Sequence, residues 1–426
     1  MSNEFPREPV PAERADRSAA SIMLILIGSI MGVPIIILGG AIGRDYGLFD
    51  AMTVIVAGCG LTAALAMLMA YAGVRTRRST ALLAEQAFGI KGARVLTAAL
   101  GIALLGWFAV EMGFIGELAV GGIRRAFGAP PPLALGIVGA TLAIGAIAIF
   151  GFSVIARVPL IFVPLLALLL IFVALMALPK LESVDTAADA AMPLGRGISA
   201  IIGSFVIGCI ILPDYSRFIR RPRDVMIAAG MALGPVWAIV IGCYAAAGLV
   251  ARSGDPAEVL IMLGMPALLT ILLPLGLAQN GIMTLYSSAL VTSTWVRQVS
   301  FTKIVIVTAI IGGLIALAGV QNAFVSYLVL LGLVFPPAAA ILIQQAIFGR
   351  MTAADVRWRN LAIWCAASAV ATFSEYGVGI TGTSALDGFI VAFLLAAAAS
   401  RLADIEAVPP TGTRAETGAG TGRVEI

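Results

Sequence analysis

Apolar residues run along this chain in long blocks separated by short polar stretches. A helix needs about 20 apolar residues to cross the roughly 30 Å hydrocarbon core of a bilayer. By that measure twelve segments are expected to span: 20–42, 49–74, 96–123, 131–152, 155–178, 198–213, 225–251, 267–295, 303–320, 323–347, 360–375 and 384–402. The stretch 256–266, PAEVLIMLGMP, is too short to span. It is expected to lie against the outer surface or to form a short re-entrant helix. The polar ends, residues 1–19 and 403–426, read as disordered tails. The first is not a signal peptide, being polar and proline-containing.

Two blocks are interrupted in a related way. Residues 27–35 read IGSIMGVPI and residues 202–210 read IGSFVIGCI. The first lies in span 1 and the second in span 6. An offset of five spans is odd, so the second interruption sits in inverted topology. Five spans followed by five inverted ones, each set led by a broken helix, is the pattern of an inverted-repeat secondary transporter. The expected repeats are 20–178 and 198–347, with two extra helices over 360–402. Gly28, Gly32, Gly203 and Gly208 permit unwound backbone, and Pro34 withholds an N–H. Unwound backbone survives at membrane depth only where protein encloses it, as around a substrate. Close packing of small residues between helices is the competing account of these glycines.

Composition narrows the class. The 426 residues are 60% hydrophobic and 12% charged, with no histidine and a formal charge of +4. That much apolar surface requires lipid as the solvent. The four cysteines all fall inside apolar runs and read as small core residues, neither a disulfide framework nor a metal site. Basic residues set the orientation. With the amino terminus inside, inner segments hold 21 Lys and Arg and outer segments hold 6. Both termini are therefore expected in the cytoplasm of a multi-pass plasma-membrane protein. The basic stretches contain no phosphate loop or dinucleotide fingerprint, and nucleic acid is not an expected partner. Without histidine or paired carboxylates in one core, an enzyme is not expected either.

The polar residues at membrane depth are the candidate chemistry. Trp107 and Glu111 lie four residues apart, so a helix presents an aromatic plane and a carboxyl on one face. A charge at mid-bilayer costs roughly 2.5–3.5 kcal/mol, so Glu111 is expected to face a cavity or to carry a proton. Glu117 reads as interfacial. In span 8, Gln279 and Asn280 are central, and Asn280, Thr284 and Ser287 share a face. Phe205 follows Ser204 at the second interruption and is expected in the cavity. The FPP at 335–337 suggests a kink, with packing an equal explanation. Aromatic faces accept any flat ring, and edge hydrogen bonds select among them. A carboxyl can accept from an exocyclic amine, or donate to a ring nitrogen when protonated. A neutral heteroaromatic ligand with an N–C–NH2 edge fits that set better than uracil does. An amino-acid or amine carrier on the same fold is the alternative, but it needs partners for its ligand's charges, and only Glu111 offers one.

The stretches LLAEQAFGIKG (82–92), GWF (106–108), GSF (203–205), PDYSRF (213–218), LYSSAL (285–290) and FPP (335–337) together resemble the nucleobase–cation symporter family, in its cytosine permease group. They reach from span 2 to span 10. The resemblance implies an all-α, twelve-helix, 5+5 inverted-repeat fold of the LeuT-like type and import of cytosine, a purine or a related aminopyrimidine. Hydroxymethylpyrimidine-type and allantoin- or hydantoin-type substrates are the alternatives within the family. It implies that the base stacks between Trp107 and Phe205, that Glu111 binds the ring edge, and that Ser204 contacts it at the break. Gly32 and Asn280 complete the expected substrate site. The family's sodium site falls on Gly28 and Met31 of span 1 and on Gln279 and Asn280 of span 8. The usual hydroxyls of span 8 are replaced there by amides. Glu111 is therefore read as a proton carrier, and proton coupling is placed ahead of sodium coupling. No cofactor is expected.

Overall fold

The computed structural model describes residues 8–149, 158–183, 193–254, 256–264, 266–296, 298–349 and 355–406. These residues are almost wholly helical. In chain order the helices are α1 (Ala19–Ile30), α2 (Val33–Thr76), α3 (Thr80–Phe88), α4 (Ile90–Phe127), α5 (Leu133–Ile149), α6 (Val158–Ala177), α7 (Leu194–Ile210) and α8 (Pro213–Ser216). They continue as α9 (Pro222–Met231), α10 (Trp237–Ala251), α11 (Pro256–Met262), α12 (Pro266–Trp295), α13 (Phe301–Leu317), α14 (Phe324–Phe348), α15 (Trp358–Glu375) and α16 (Ser384–Glu406). Among the described residues, seven helical segments are long and apolar enough to cross a bilayer, and α1, α5 and α13 are shorter apolar helices. The short α11 falls on the stretch judged too short to span. The ends expected at 152 and 155, and the tail from 407 onward, lie outside the described residues.

Both interrupted helices are broken, but not at the paired Ile-Gly-Ser. The first break is at Met31 and Gly32. Met31 (φ −84°, ψ 3°) ends α1, and extended Gly32 (φ −67°, ψ 151°) restarts the chain as α2 with Pro34 in its first turn. Proline fits there because a first-turn N–H has no helical partner to lose. Gly28 is therefore inside a regular helix. The second break lies at Ile211 and Leu212, again just before a proline, Pro213. Both residues keep right-handed helical angles, and the turn is closed by Leu212 N–H donating to Cys209 O and Asp214 N–H to Ile211 O. This is a tight kink rather than unwound backbone.

Gly203 and Gly208, expected to unwind, are helical. A Cβ on Gly203 would collide with the Leu328 carbonyl oxygen, so this glycine lets α7 approach the backbone of α14. That is the small-residue packing that competes with unwinding as an account of membrane glycines. Helix α14 is the most enclosed element, buried without interruption from Phe335 to Ala346. The FPP prolines sit within this continuous helix.

Other boundaries moved for local reasons. Spans 1 and 2 meet with no loop, because Gly47 (φ 66°, ψ 179°) turns the chain in one residue that a side chain would strain. The basic stretch 75–95 is not all loop. Ser79 accepts from Leu82 N–H and starts α3, and α4 begins at Ile90. Asp214 accepts from Thr80 N–H at 2.8 Å, while Thr80 Oγ1 donates to Ile210 O at 3.0 Å, tying α3 to the kink.

The amino-terminal segment is held from residue 8 onward, against the expectation of a disordered tail. Val10 and Ala15 are buried, Val10 N–H donates to Arg77 O, and Arg17 pairs with Ile219 as a single parallel bridge. The Arg17 guanidinium also lies 4.7 Å from the centre of the Phe218 ring. Two apolar anchors and a cation–π contact offset the ordering of a short segment that its polar composition alone does not suggest.

Candidate functional site

A cavity of about 200 Å³ lies where α1, α2, α4, α7 and α12 converge. Helix α4 presents Leu104, Trp107 and Glu111 to it, at the three- and four-residue spacing of one helical face. Helix α12 presents Asn280, Met283, Thr284 and Ser287 with the same periodicity. Helix α7 adds Ser204, Phe205 and Gly208, and Ser29 and Pro34 flank the first break.

The two aromatics are held from behind. Trp107 packs edge-on against Phe324 and Tyr327, with centroids 5.9 and 5.8 Å away, and Tyr327 Oη donates to Ala103 O. Phe205 packs against buried Trp237 at 5.5 Å. A Cβ on Gly208 would lie 2.7 Å from the Phe205 ring, so that glycine makes room for it. Braced rings lose little freedom when a flat ligand stacks on them.

Glu111 is fully buried. Thr284 Oγ1 donates to its Oε2 at 2.9 Å, while Oε1 has no hydrogen-bond partner. Thr284 Oγ1 also lies 3.0 Å from Asn280 O and 3.2 Å from Gly281 O. The arrangement accommodates both states of the carboxyl. When Glu111 is ionised, Thr284 donates to it. When Glu111 is protonated, its O–H can donate to Thr284 while the threonine hydroxyl turns to a carbonyl of its own helix. Ser204 lines the cavity and its Oγ donates to Ile201 O at 2.7 Å, so the hydroxyl can still accept a hydrogen bond.

Five residues singled out from the sequence as substrate contacts, Trp107, Glu111, Ser204, Phe205 and Asn280, line this one cavity. Gly32 stands beside it: a Cβ there would lie 2.8 Å from Asn280 Nδ2, so the bare break lets the amide approach the backbone. Gly28 and Met31 are not among the lining residues, and the side chain of Gln279 lies outside the described residues. Sequence reasoning missed Ser29, Leu104, Ile211 and Met283, and it missed the bracing of the aromatics by Phe324, Tyr327 and Trp237. Leu104 and Met283 could have been found by extending the helical spacing from Trp107 and Asn280. The bracing residues come from distant segments and carry no local signal. Glu117 accepts a hydrogen bond from Gln321 Nε2 at 3.2 Å, outside the cavity.

The family described as permeases for cytosine/purines, uracil, thiamine and allantoin matches residues 9–397. The chain belongs to this nucleobase–cation symporter family. A cytosine permease of Escherichia coli O157:H7 is 26% identical over 356 residues, 82% of each chain. The inward-facing structure of Mhp1 superposes with a TM-score of 0.78 at 20% identity, over 93% of both chains. Mhp1 in a closed conformation with bromovinylhydantoin bound, a nucleobase–cation–symport-1 family transporter, gives 0.74 at 20% identity, over 95% of this chain and 97% of that one. These likenesses establish the fold as LeuT-like. The permease is a multi-pass membrane protein and a secondary transporter of nucleobases or related compounds in a cation-coupled family. It is not an enzyme.

Proposed function

We propose that this permease imports a flat, neutral nucleobase or aminopyrimidine, of the cytosine or purine type, and couples its uptake to protons through Glu111. The observation that carries this reading is the buried, unpartnered Glu111 Oε1 beside a cavity lined by two braced aromatic rings. The rings supply the stacking surface, and Oε1 can accept from an exocyclic amine. Asn280 has both a donor and an acceptor for the adjoining edge. The rest of the cavity lining, hydroxyl and apolar side chains with no Lys or Arg among them, offers no cationic partner to a carboxylate, which argues against an amino acid.

In this proposal the helices form twelve spans in a 5+5 inverted repeat, residues 20–178 and 198–347, with both termini in the cytoplasm of the plasma membrane. Trp107 and Phe205 stack on the ring, Ser204 and Asn280 bind its edge, and Gly32 leaves room for Asn280. Sodium ligation by Gly28, Met31, Gln279 and Asn280 is the second reading of the ion site, and the amide oxygens of α12 are what favour it. Substrate and proton meet at one carboxyl in our reading, so each alters the other's affinity by the same factor.

The test is a thermal-shift panel on the purified protein, run with cytosine, adenine, hypoxanthine, uracil, hydroxymethylpyrimidine and allantoin. It is repeated with and without Na⁺ and at two pH values. Stabilisation by an amine-bearing base, unaffected by Na⁺ and altered by pH, supports the proposal. Stabilisation that needs Na⁺ and ignores pH moves the coupling to the sodium reading, and stabilisation by allantoin alone moves the substrate class.

A further inference from the structure

A second cavity, of about 460 Å³, lies apart from the first, between α4, α12 and α13. Its walls are apolar: Ala98 and Ile102 from α4, Val291 and Trp295 from α12, Val307 and Ile311 from α13. Ile102 is 71% exposed, Val307 54% and Trp295 48%. The groove therefore opens outward, onto a surface that in a multi-pass membrane protein faces hydrocarbon. Two of its three hydroxyls are already engaged, Thr308 being the third. Ser288 Oγ donates to Gly101 O at 3.0 Å and Thr292 Oγ1 to Ser288 O at 2.9 Å. The walls thus offer a polar ligand little to bind.

One end is different. Lys303, exposed in the first turn of α13, lines the groove and makes no ion pair among the described residues. From Lys303 to Ile311 the helix rises about 12 Å, most of one hydrocarbon leaflet of roughly 15 Å. An apolar trough of leaflet length that ends at an ammonium group matches a lipid with an anionic head in both shape and charge. The aromatic Trp295 near the same end suits the interface, where amphipathic rings collect.

We propose that this groove is a binding site for one anionic phospholipid, with an acyl chain laid between α4, α12 and α13 and the phosphate on Lys303 Nζ. The lipid braces the helices that carry the first cavity. Gly101 precedes Trp107 on α4, Ser288 follows Thr284 on α12, and the bond between Gly101 and Ser288 forms part of the groove wall. Its occupancy therefore bears on the spacing of Glu111 and Thr284.

Native mass spectrometry of the purified full-length protein tests this, with phosphatidylglycerol and phosphatidylcholine of identical chains added in turn. The wild type is expected to retain one phosphatidylglycerol and to melt at a higher temperature with it. Lys303→Gln should lower the preference for phosphatidylglycerol over phosphatidylcholine about fivefold. Val307→Trp and Ala98→Phe, which fill the trough, should lose retention of both lipids. Each variant must melt in lipid-free detergent as the wild type does, so Val307→Trp at an exposed site serves if Ala98→Phe fails to fold. No retained lipid in the wild type, an unchanged preference in Lys303→Gln, or full retention by a correctly folded trough-filled variant overturns the proposal. So does a lipid-independent dimer that Val307→Trp disrupts, which would assign the groove to a second copy of the chain.

Discussion

In the proposed mechanism Trp107 binds and Glu111 couples, so their substitutions should separate binding from coupling. Removing one aromatic stack costs roughly 1–3 kcal/mol. Trp107→Ala should therefore weaken uptake affinity by about 5- to 150-fold with protein abundance maintained, as measured by concentration-dependent uptake of labelled base. Glu111→Gln keeps a polar edge but cannot ionise. If uptake is coupled to protons as proposed, wild-type uptake should fall as external pH rises, because the proton that accompanies substrate becomes scarce. The Gln variant should bind substrate in thermal-shift assays, show a flat pH profile and fail to accumulate substrate against a gradient. Thr284→Val removes the hydroxyl that serves both states of the carboxyl. It should shift the pH profile more than it changes affinity at the optimum. Uptake that follows external Na⁺ and ignores a protonophore at fixed membrane potential would defeat the proton reading.

At the scale of elements, the glycines of the two interrupted helices have different duties. Gly32 sits at the break beside Asn280, whereas Gly203 seats α7 on the backbone of α14. A methyl group at Gly203 overpacks a helix crossing, a change that typically costs 1–3 kcal/mol. Gly203→Ala should lower abundance and melting temperature, with substrate affinity unchanged in the molecules that fold. Gly32→Ala meets the movable end of a side chain instead. It should displace Asn280 and reduce transport several-fold while abundance holds. Comparing uptake normalised to membrane protein with melting temperature for the two variants decides the matter. Matched loss of both quantities in both variants would show that Gly32 is a packing residue too.

Over the whole molecule, residues 8–18 join α1 to the end of α2 and to the segment after α8. Arg77 extends the same junction, donating to the carbonyls of Arg217 and Ile219. The first half-helix is thus tied to its neighbours beyond its own packing. Arg17→Ala removes a contact of about 0.5–1 kcal/mol at an exposed site. Limited proteolysis should cut the amino-terminal segment several-fold faster in that variant, with the melting temperature almost unchanged. Equal cutting rates would mean that the buried Val10 and Ala15 alone hold the segment.

The hydrophobic blocks determined by themselves that this is a helical membrane protein, because about twenty apolar residues in succession have few stable alternatives to spanning lipid. Helical spacing likewise made Trp107 with Glu111, and Asn280 with Thr284 and Ser287, legible as single faces. The sequence also announced that spans 1 and 6 are interrupted, yet it misplaced the second break. Glycine permits unwinding and close packing alike, and only the nearness of Leu328 shows which of these Gly203 serves. Pro213 was the stronger local signal, since a proline removes a helical N–H whatever surrounds it. Convergence of five helices on one cavity, the bracing of Trp107 and Phe205, and the unpartnered Glu111 Oε1 belong to the tertiary structure. Each depends on contacts between residues far apart in the chain, which no local periodicity encodes.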